Sequence, residues 1–218
     1  ALATLGSGAM AAGTAPDTDI SNSIDISYSS GGTTITRTNE STVTFKVDRK
    51  VDFVLEGQDA GSKVTVSQDA TDQQLTFRLQ NEGNDASGYD IDVTATGSIG
   101  LTEGTGEGTY AVYLSPNAGP YDPNTDTAYS PGGTVSIGDI AADGITYIKI
   151  VADIPADASD GQQDSFTLTA TALDAGTSSP TQEAAAPSIS VVDTFFADSD
   201  EDGQETDSES YQISAPIM

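Results

Sequence analysis

Residues 75–95, LTFRLQNEGNDASGYDIDVTA, contain two segments in which apolar and polar residues alternate, separated by the turn-rich residues 81–84. Successive side chains of a β-strand point to opposite faces, so this spacing predicts two strands that are each apolar on one face and polar on the other. Strands of this kind are typical of a sheet that is packed on one side and solvated on the other. The alternating apolar positions are Leu75, Phe77, Leu79, Tyr89, Ile91 and Val93.

The same alternation recurs along most of residues 17–192, with turn signals such as Gly31-Gly32 between the apolar segments. No segment shows a helical period. The pattern predicts an all-β protein, with about a dozen short strands in an immunoglobulin-like or jelly-roll β-sandwich. The early apolar positions that carry the pattern are Ile20, Ile24, Ile26, Tyr28, Ile35, Val43, Phe45 and Val47.

Three regions of the chain differ in composition. Residues 1–16 contain no charged residue and are predicted to form an extended N-terminal arm ahead of the sandwich, residues 17–192. Residues 193–218 are predicted to form an acidic, calcium-loop-like hairpin and a C-terminal strand. Within the sandwich, residues 97–133 are dense in Gly, Pro and Asn and predict long surface loops around one strand near residues 110–114.

The uncharged arm has three interpretations. Ala9-Met10-Ala11 is similar to a signal-peptide cleavage site, although the basic leading region of such a peptide is missing. Alternatively, the arm is an edge strand of its own sandwich, or it is buried in another subunit, which is the interpretation that we favour. Buried there, its side chains would fill pockets of the neighbour. The candidate assembly residues are Leu2, Leu5 and Met10.

The residue types that are absent limit the chemistry. The chain has no Cys, no His and no Trp, which excludes disulfide bonds and thiolate sites and removes the usual base of hydrolytic triads. Two carboxylates suffice for glycoside hydrolysis, but such clefts are normally lined by Trp. We therefore predict that the protein is not an enzyme.

Charge is distributed unevenly along the chain. Seven basic and 34 acidic residues give a net charge of -27, which disfavours nucleic acid and anionic lipid as partners. Residues 1–80 hold six basic and ten acidic residues, whereas residues 81–218 hold Lys149 and 24 acidic residues. This suits a solubilising surface of a salt-adapted or secreted protein, or a less acidic end that meets the acidic end of another copy. No apolar run approaches the ~18 residues of a membrane span.

An acidic motif near the C-terminus predicts a calcium site. Residues 198–209, DSDEDGQETDSE, satisfy the D-x-D-x-D-G-x5-E pattern, in which alternate oxygen ligands converge and Gly203 permits the bend. The alternative is a solvated acidic hairpin, because so acidic a chain produces such patterns readily. The predicted ligands are Asp198, Asp200, Asp202, Gln204, Thr206 and Glu209.

A family resemblance supports the predicted fold. LTFRLQNEGNDASGYDIDV, followed by GITYIKIVADIPADASDGQQDSFTLTATA, resembles the immunoglobulin-like conserved-repeat modules of secreted bacterial and archaeal surface proteins. The resemblance covers residues 17–192 and implies a sandwich that is secreted, extracellular or on the cell surface. The fold serves many functions, so it selects none of them.

The arm and the sandwich together predict a structural subunit of an extracellular filament. In this hypothesis the arm of one copy adds as a strand to the next copy, giving a pilus-like, head-to-tail homopolymer similar to donor-strand pilins and biofilm-matrix fibre subunits. The alternative is a monomeric adhesin or carbohydrate-binding module whose loops 97–133 bind a surface glycan or a host-cell ligand. A third candidate is a surface-layer protein that forms two-dimensional arrays. The loop tyrosines are Tyr113, Tyr121 and Tyr129.

Overall fold

The computed structural model describes residues 13–129, 135–186 and 188–214. Within these ranges the chain forms β-strands, turns and irregular segments, with no helix. The strands are β1 (Asp19–Ser30), β2 (Thr33–Lys46), β3 (Arg49–Val51), β4 (Phe53–Gly57), β5 (Lys63–Val66), β6 (Gln73–Asn81), β7 (Ser87–Gly97), β8 (Thr102–Glu103), β9 (Thr109–Ser115), β10 (Thr127–Ala128), β11 (Val135–Ile140), β12 (Ile145–Asp153), β13 (Gln163–Leu173), β14 (Thr194–Phe196) and β15 (Gln204–Ile213).

Two sheets form the sandwich. One has the order β10-β9-β12-β6-β4 with β8 beside β9, and the other has the order β11-β7-β13-β15-β5. When the strands are lettered in chain order, the neighbours β4-β6-β12-β9 of the first sheet correspond to strands A, B, E and D of an immunoglobulin domain. The neighbours β7-β13-β15 of the second sheet correspond to strands C, F and G. The all-β prediction is confirmed. Of the two predicted architectures, the strand order is the immunoglobulin type.

The two strands of residues 75–95 lie in opposite sheets. β6 pairs with β4 and β12, whereas β7 pairs with β11 and β13. Their apolar faces therefore meet across the core, which explains why both alternate: Leu75, Phe77, Leu79, Tyr89 and Ile91 are fully buried.

Aromatic contacts join the two sheets. The ring centroids of Phe53 and Tyr89 are 5.0 Å apart, and those of Tyr110 and Phe166 are 4.8 Å apart. Each of these pairs has one partner in each sheet. Phe166 also contacts Tyr211 of β15, at 5.7 Å. The last long strand is thus part of a complete immunoglobulin-type core.

The first two strands stand apart from the sandwich. β1 and β2 pair only with each other in a two-stranded antiparallel sheet, which we call the ribbon, residues 19–46. The turn between them is Gly31-Gly32, with φ of 61° and 81°, the left-handed conformation that tight hairpin turns require. The sequence placed these residues in the sandwich, and the structure corrects that division.

The C-terminal region also differs from its prediction. β14 and β15 do not form a hairpin: β14 pairs in parallel with β3, and β15 lies between β13 and β5 in the second sheet. β15 begins at Gln204, inside the acidic motif. Because β15 is central, residues 204–213 belong to the sandwich rather than to an appended hairpin.

Candidate assembly surface

The ribbon has one largely apolar face, which we call the apolar face, and one polar face. Antiparallel partners point to the same side of a sheet, so the pairs Ile20–Phe45 and Tyr28–Ile35 lie on one face. A register shift between Ile24 and Ile26 leaves both residues on that face, because β1 itself continues without interruption. The apolar face carries Ile20, Ile24, Ile26, Tyr28, Ile35, Val43 and Phe45, and the same register places the polar residues Asn22, Arg37 and Ser41 on it, opposite Val43, Ile26 and Ile24.

The opposite face is built from hydroxyl side chains. The Oγ of Ser21 and the Oγ1 of Thr44 are 2.8 Å apart, and similar pairs join Ser27 to Thr36 and Ser29 to Thr34. These cross-strand hydrogen bonds satisfy the hydroxyl groups within the ribbon. The large apolar side chains of the ribbon are therefore concentrated on one face.

Six of the seven large apolar residues on this face are exposed. Ile24 is 58% exposed, Val43 55% and Tyr28 49%, and Ile26, Ile35 and Phe45 are also exposed. At the base of the ribbon, Phe45 lines a surface cavity together with Ile189, which is itself exposed. An uncovered two-stranded hairpin is marginally stable in water, so this face is the strongest candidate for a contact with another molecule.

A polar cluster holds the base of the ribbon on the sandwich. Arg49 follows directly after the ribbon and is largely buried. Its Nη1 donates to Asp174 Oδ1 at 2.8 Å, and its Nη2 donates to Ser87 Oγ at 2.8 Å and to the Leu173 carbonyl at 3.4 Å. Because Ser87 begins β7 and Leu173 ends β13, one side chain joins the ribbon's base to two core strands.

Asn84 holds the described end of the arm close to the same base. Its side-chain amide donates to the carbonyls of Thr14 and Asp48, at 3.0 and 2.9 Å, and its Oδ1 accepts the Lys50 N–H at 2.7 Å. Asp17 N–H donates to the Val47 carbonyl at 3.0 Å. Residues 13–16 thus lie on the turn between β6 and β7, outside both sheets. The predicted assembly residues Leu2, Leu5 and Met10 lie outside the described residues.

The predicted calcium loop folds into a turn and a strand. Asp198 is buried, and its Oδ2 accepts the Gly203 N–H at 2.9 Å, so this carboxylate closes the turn. Burial raises the pKa of Asp198. Asp202 accepts the Gln204 N–H at 2.8 Å, and Asp200 is exposed. Gly203 has a φ of 73°, as the sharp bend in the motif requires.

Glu209 lies away from this turn, further along β15. Its Oε1 accepts the Asp59 N–H at 3.1 Å, and burial together with the neighbouring Asp59 and Asp207 raises its pKa to about 7. Thr206 instead pairs its hydroxyl with that of Thr169 on β13. Within the described ranges no three acidic side chains are grouped to hold a metal ion. As folded here the donor set does not fit calcium, and the site stays a prediction from sequence.

The tyrosines of loops 97–133 are used in packing. The rings of Tyr113 and Tyr121 are 4.5 Å apart, and Tyr129 donates its hydroxyl to the Ser136 carbonyl at 2.8 Å. A shallow cavity of about 270 Å³ lies between Tyr113 and Tyr129. A glycan in this surface groove would lie against tyrosine side chains that already make contacts within the chain.

A buried ion pair fixes the loop above β12. Lys149 is fully buried, and its Nζ donates to Asp126 Oδ2 at 2.9 Å and to the Pro120 carbonyl at 3.3 Å. Burial alone would raise the pKa of Asp126, but hydrogen bonds with Ser115 and Lys149 outweigh it and lower the pKa. The one basic residue of the acidic region therefore has a structural role under the loop.

The fold and surface define an immunoglobulin-like sandwich with a projecting apolar ribbon. No protein-family model and no curated protein matches the chain. Three solved structures that are similar to it, at low TM-scores, are the PapD-like domain 7 of human CEP192, the fimbrial subunit AggA of Escherichia coli and the N-terminal domain of PorA.

The overlaps are broad but the likenesses are weak. The CEP192 domain is 10% identical with a TM-score of 0.34, over 77% of this chain and 87% of that one. AggA, described as the major subunit of aggregative adherence fimbriae type I, is 7% identical with a TM-score of 0.29, over 78% and 97%. The PorA domain is 11% identical with a TM-score of 0.28, over 74% and 97%. With TM-scores below 0.5, none of them carries an argument about function.

The sequence does not show that the apolar face of the ribbon is exposed. Its alternation predicts Ile24, Ile26 and Tyr28 as strand residues of the sandwich, because alternation shows one apolar face without showing what covers it. No membrane-crossing helix is present in the part of the chain that the structure describes.

Proposed function

We propose that this protein is a structural subunit of an extracellular filament, which polymerises head to tail when residues 1–16 of one copy add as a strand to the next copy. The observation that carries the proposal is the uncharged segment of residues 1–16, directly ahead of a ribbon whose apolar face is exposed. Both features create apolar surface that water does not favour, and contact between copies removes it.

The complete core limits where a donated strand could pair. β15 already occupies the position of strand G, so the sandwich lacks no core strand. The donated strand is therefore proposed to add to an open edge by backbone hydrogen bonds. Among the described strands, β1 and β2 pair only with each other, so the ribbon offers outer edges for such an addition.

Charge favours contact through this end of the chain. Two copies that each carry a net charge of -27 repel each other, and the repulsion is strongest where the acidic residues of 81–218 would meet. The ribbon holds three acidic and two basic residues, and residues 1–16 hold none. Contacts that include the neutral end keep the acidic regions apart.

A complementation experiment tests the donated strand. We expect the full chain to form filaments in negative-stain micrographs, and a variant that lacks residues 1–12 to remain folded but unable to assemble. A synthetic peptide of residues 1–16 should bind that variant in calorimetric titration, whereas a peptide with the same residues in scrambled order should not. Equal binding of both peptides would exclude strand donation.

Point substitutions provide a milder test of the same contact. Leu5→Asp places a charge in the uncharged arm and should abolish assembly, because a buried unpaired carboxylate is strongly unfavourable. Ser27→Asp adds the same charge to the polar face of the ribbon, where water remains available. It should leave filament length unchanged, and filaments that tolerate Leu5→Asp would contradict the proposal.

A further inference from the structure

We propose that Lys149 and Asp126 condense after folding to form an amide bond, which cross-links each copy internally. The bond goes beyond the proposed filament contact, because it lies within one copy and involves none of residues 1–16. Its basis is a buried amine in direct contact with a buried carboxylate. Lys149 Nζ lies 2.9 Å from Asp126 Oδ2, and the two side chains are 0% and 1% exposed.

Strand alternation places Lys149 on the side of its sheet that faces away from the core. Its neighbours in β12, Ile148 and Ile150, are fully buried in the core, so the Lys149 side chain leaves the opposite face. The loop of residues 116–126 covers it there, and Nζ donates to Asp126 and to the Pro120 carbonyl. Removing an ammonium and a carboxylate from water is costly, and conversion of the pair to a neutral amide relieves that cost.

Proximity and the exclusion of water favour condensation at this site. Reacting groups that are held in contact reach effective concentrations of roughly 10⁵–10⁸ M when they are well oriented. The pair Lys50 and Asp52 shows what is different here. Its atoms are similarly close, at 2.8 Å, but the side chains are 36% and 19% exposed, so hydration keeps them ionic and we expect no amide there.

The condensation needs no other reactant and releases one water. A proton passes from Nζ to the carboxylate along the existing hydrogen bond, and the lone pair left on Nζ attacks Cγ of Asp126. The bond from Cγ to Oδ1 then breaks, and Oδ1 leaves as water with two of the three ammonium protons. Oδ1 has no hydrogen-bond partner among the described residues, whereas Oδ2 accepts the Asp122 N–H at 3.1 Å and stays as the amide carbonyl.

The product is neutral and its polar groups have partners. The amide carbonyl keeps the Asp122 N–H, and the amide N–H can donate to the Pro120 carbonyl, which lies 3.3 Å from Nζ. The bond joins β12 to the loop directly before β10 and closes a covalent ring of residues 126–149. The chain has no Cys for a disulfide, and a ring of this kind restricts the unfolded chain as a disulfide does.

Freshly folded protein holds the ion pair. Hydrogen bonds lower the pKa of Asp126, so the carboxylate is charged at neutral pH and the form in which the proton has moved is rare. Linked chains should therefore accumulate slowly in folded protein. They should not accumulate in unfolded protein, where the two groups are no longer held together.

Digestion with trypsin reports the bond directly. Lys149 is the last basic residue of the chain and Arg78 the one before it, so unlinked protein gives fragments 79–149 and 150–218. Trypsin does not cleave after a lysine whose amine is part of an amide. After prolonged incubation of folded full-length protein at neutral pH, we expect one fragment, 79–218, lighter by the mass of one water in mass spectrometry. Two fragments of full mass after this incubation would overturn the proposal.

A second protease shows where the water is lost. Chymotrypsin cleaves after Tyr129 and Tyr147, which opens the ring, and the peptides that contain Asp126 and Lys149 should nevertheless stay joined. The same protein incubated in guanidinium chloride should keep its full mass. If one water is lost but trypsin still cleaves after Lys149, the loss lies elsewhere, for example in a cyclic imide at an Asp-Gly pair, and the proposal is wrong.

Two matched variants assign the reacting lysine. Lys149→Arg keeps the charge but replaces the amine with a guanidinium that does not form the bond, so this variant should retain its full mass. Lys50→Arg should lose one water as the wild type does. Loss of water from Lys149→Arg would contradict the proposal, and if this variant does not fold, the digestion of the wild type still decides between the two outcomes.

Discussion

Glu209→Gln should stabilise the protein at neutral pH. In the folded state the Glu209 carboxyl is buried beside Asp59 and Asp207, and its pKa rises from 4.5 to about 7. A carboxyl with a raised folded pKa contributes stability that is fully present below its unfolded pKa and is lost as pH rises through its folded pKa. The free energy of unfolding should therefore fall between about pH 4.5 and 7 on account of this group.

The size of the effect follows from the shift. Each pKa unit corresponds to about 1.4 kcal/mol, so the change from 4.5 to about 7 amounts to about 3 kcal/mol lost between acidic and neutral pH. Gln has the shape of the protonated acid, and its carbonyl can accept the Asp59 N–H that Glu209 accepts. The variant should match the wild type near pH 4.5 and exceed it by about 2–3 kcal/mol at pH 8.

Denaturant unfolding at constant ionic strength measures this difference at a series of pH values. Asp200→Asn removes one charge from an exposed position and is the matched control, with little expected change. An equal difference between Glu209→Gln and the wild type at pH 4.5 and pH 8, or a variant that is less stable at pH 8, would contradict the raised pKa of Glu209.

Three further outcomes follow from the polar contacts of the sandwich. Lys149→Met leaves Asp126 buried without its cation and should cost about 3–5 kcal/mol of stability at pH 7. This loss should shrink in acid, where Asp126 is protonated, and the second substitution Asp126→Asn should restore most of the stability. Urea unfolding of the single and the double variant measures both effects. Arg49→Ala should cost about 2–3 kcal/mol and lower the melting temperature by roughly 5–10 °C, which calorimetry measures. Calorimetric titration with calcium tests the predicted site of residues 198–209: one saturable event would support it, and the absence of heat would exclude it.

The strands could be predicted from sequence because their signal is local. In residues 75–95 the alternation of Leu75, Phe77 and Leu79 marks one strand and that of Tyr89 and Ile91 the next, and both are buried as expected. The sheet that each strand joins depends on pairing with β12 and β13, which lie far along the chain, and no local pattern reports it.

The ribbon shows a different limit. Ile24 and Ile26 alternate with polar residues just as core strands do, and the sequence cannot distinguish a face covered by its own chain from one left for a partner. One clue was present: the residues between the apolar positions of β1 and β2 are rich in Ser and Thr, which pair across the ribbon.

Part of the predicted calcium motif takes part in strand pairing. Residues 204–209 hydrogen-bond to β13 as part of β15, which turns Thr206 to the outer face and Glu209 to the interior. A calcium loop needs these two side chains to return to the centre formed by Asp198. The sequence shows the spacing of the motif but not the strand pairing of residues 204–209.

Electron microscopy of the purified full-length protein is the most direct test of the proposal that copies of this chain assemble through its neutral N-terminal end. Negative-stain micrographs should show long filaments, and removal of residues 1–12 should leave only unassembled protein with the melting temperature of the intact sandwich. Filaments that still form without residues 1–12, or a full-length chain that remains monomeric at every concentration, would contradict it.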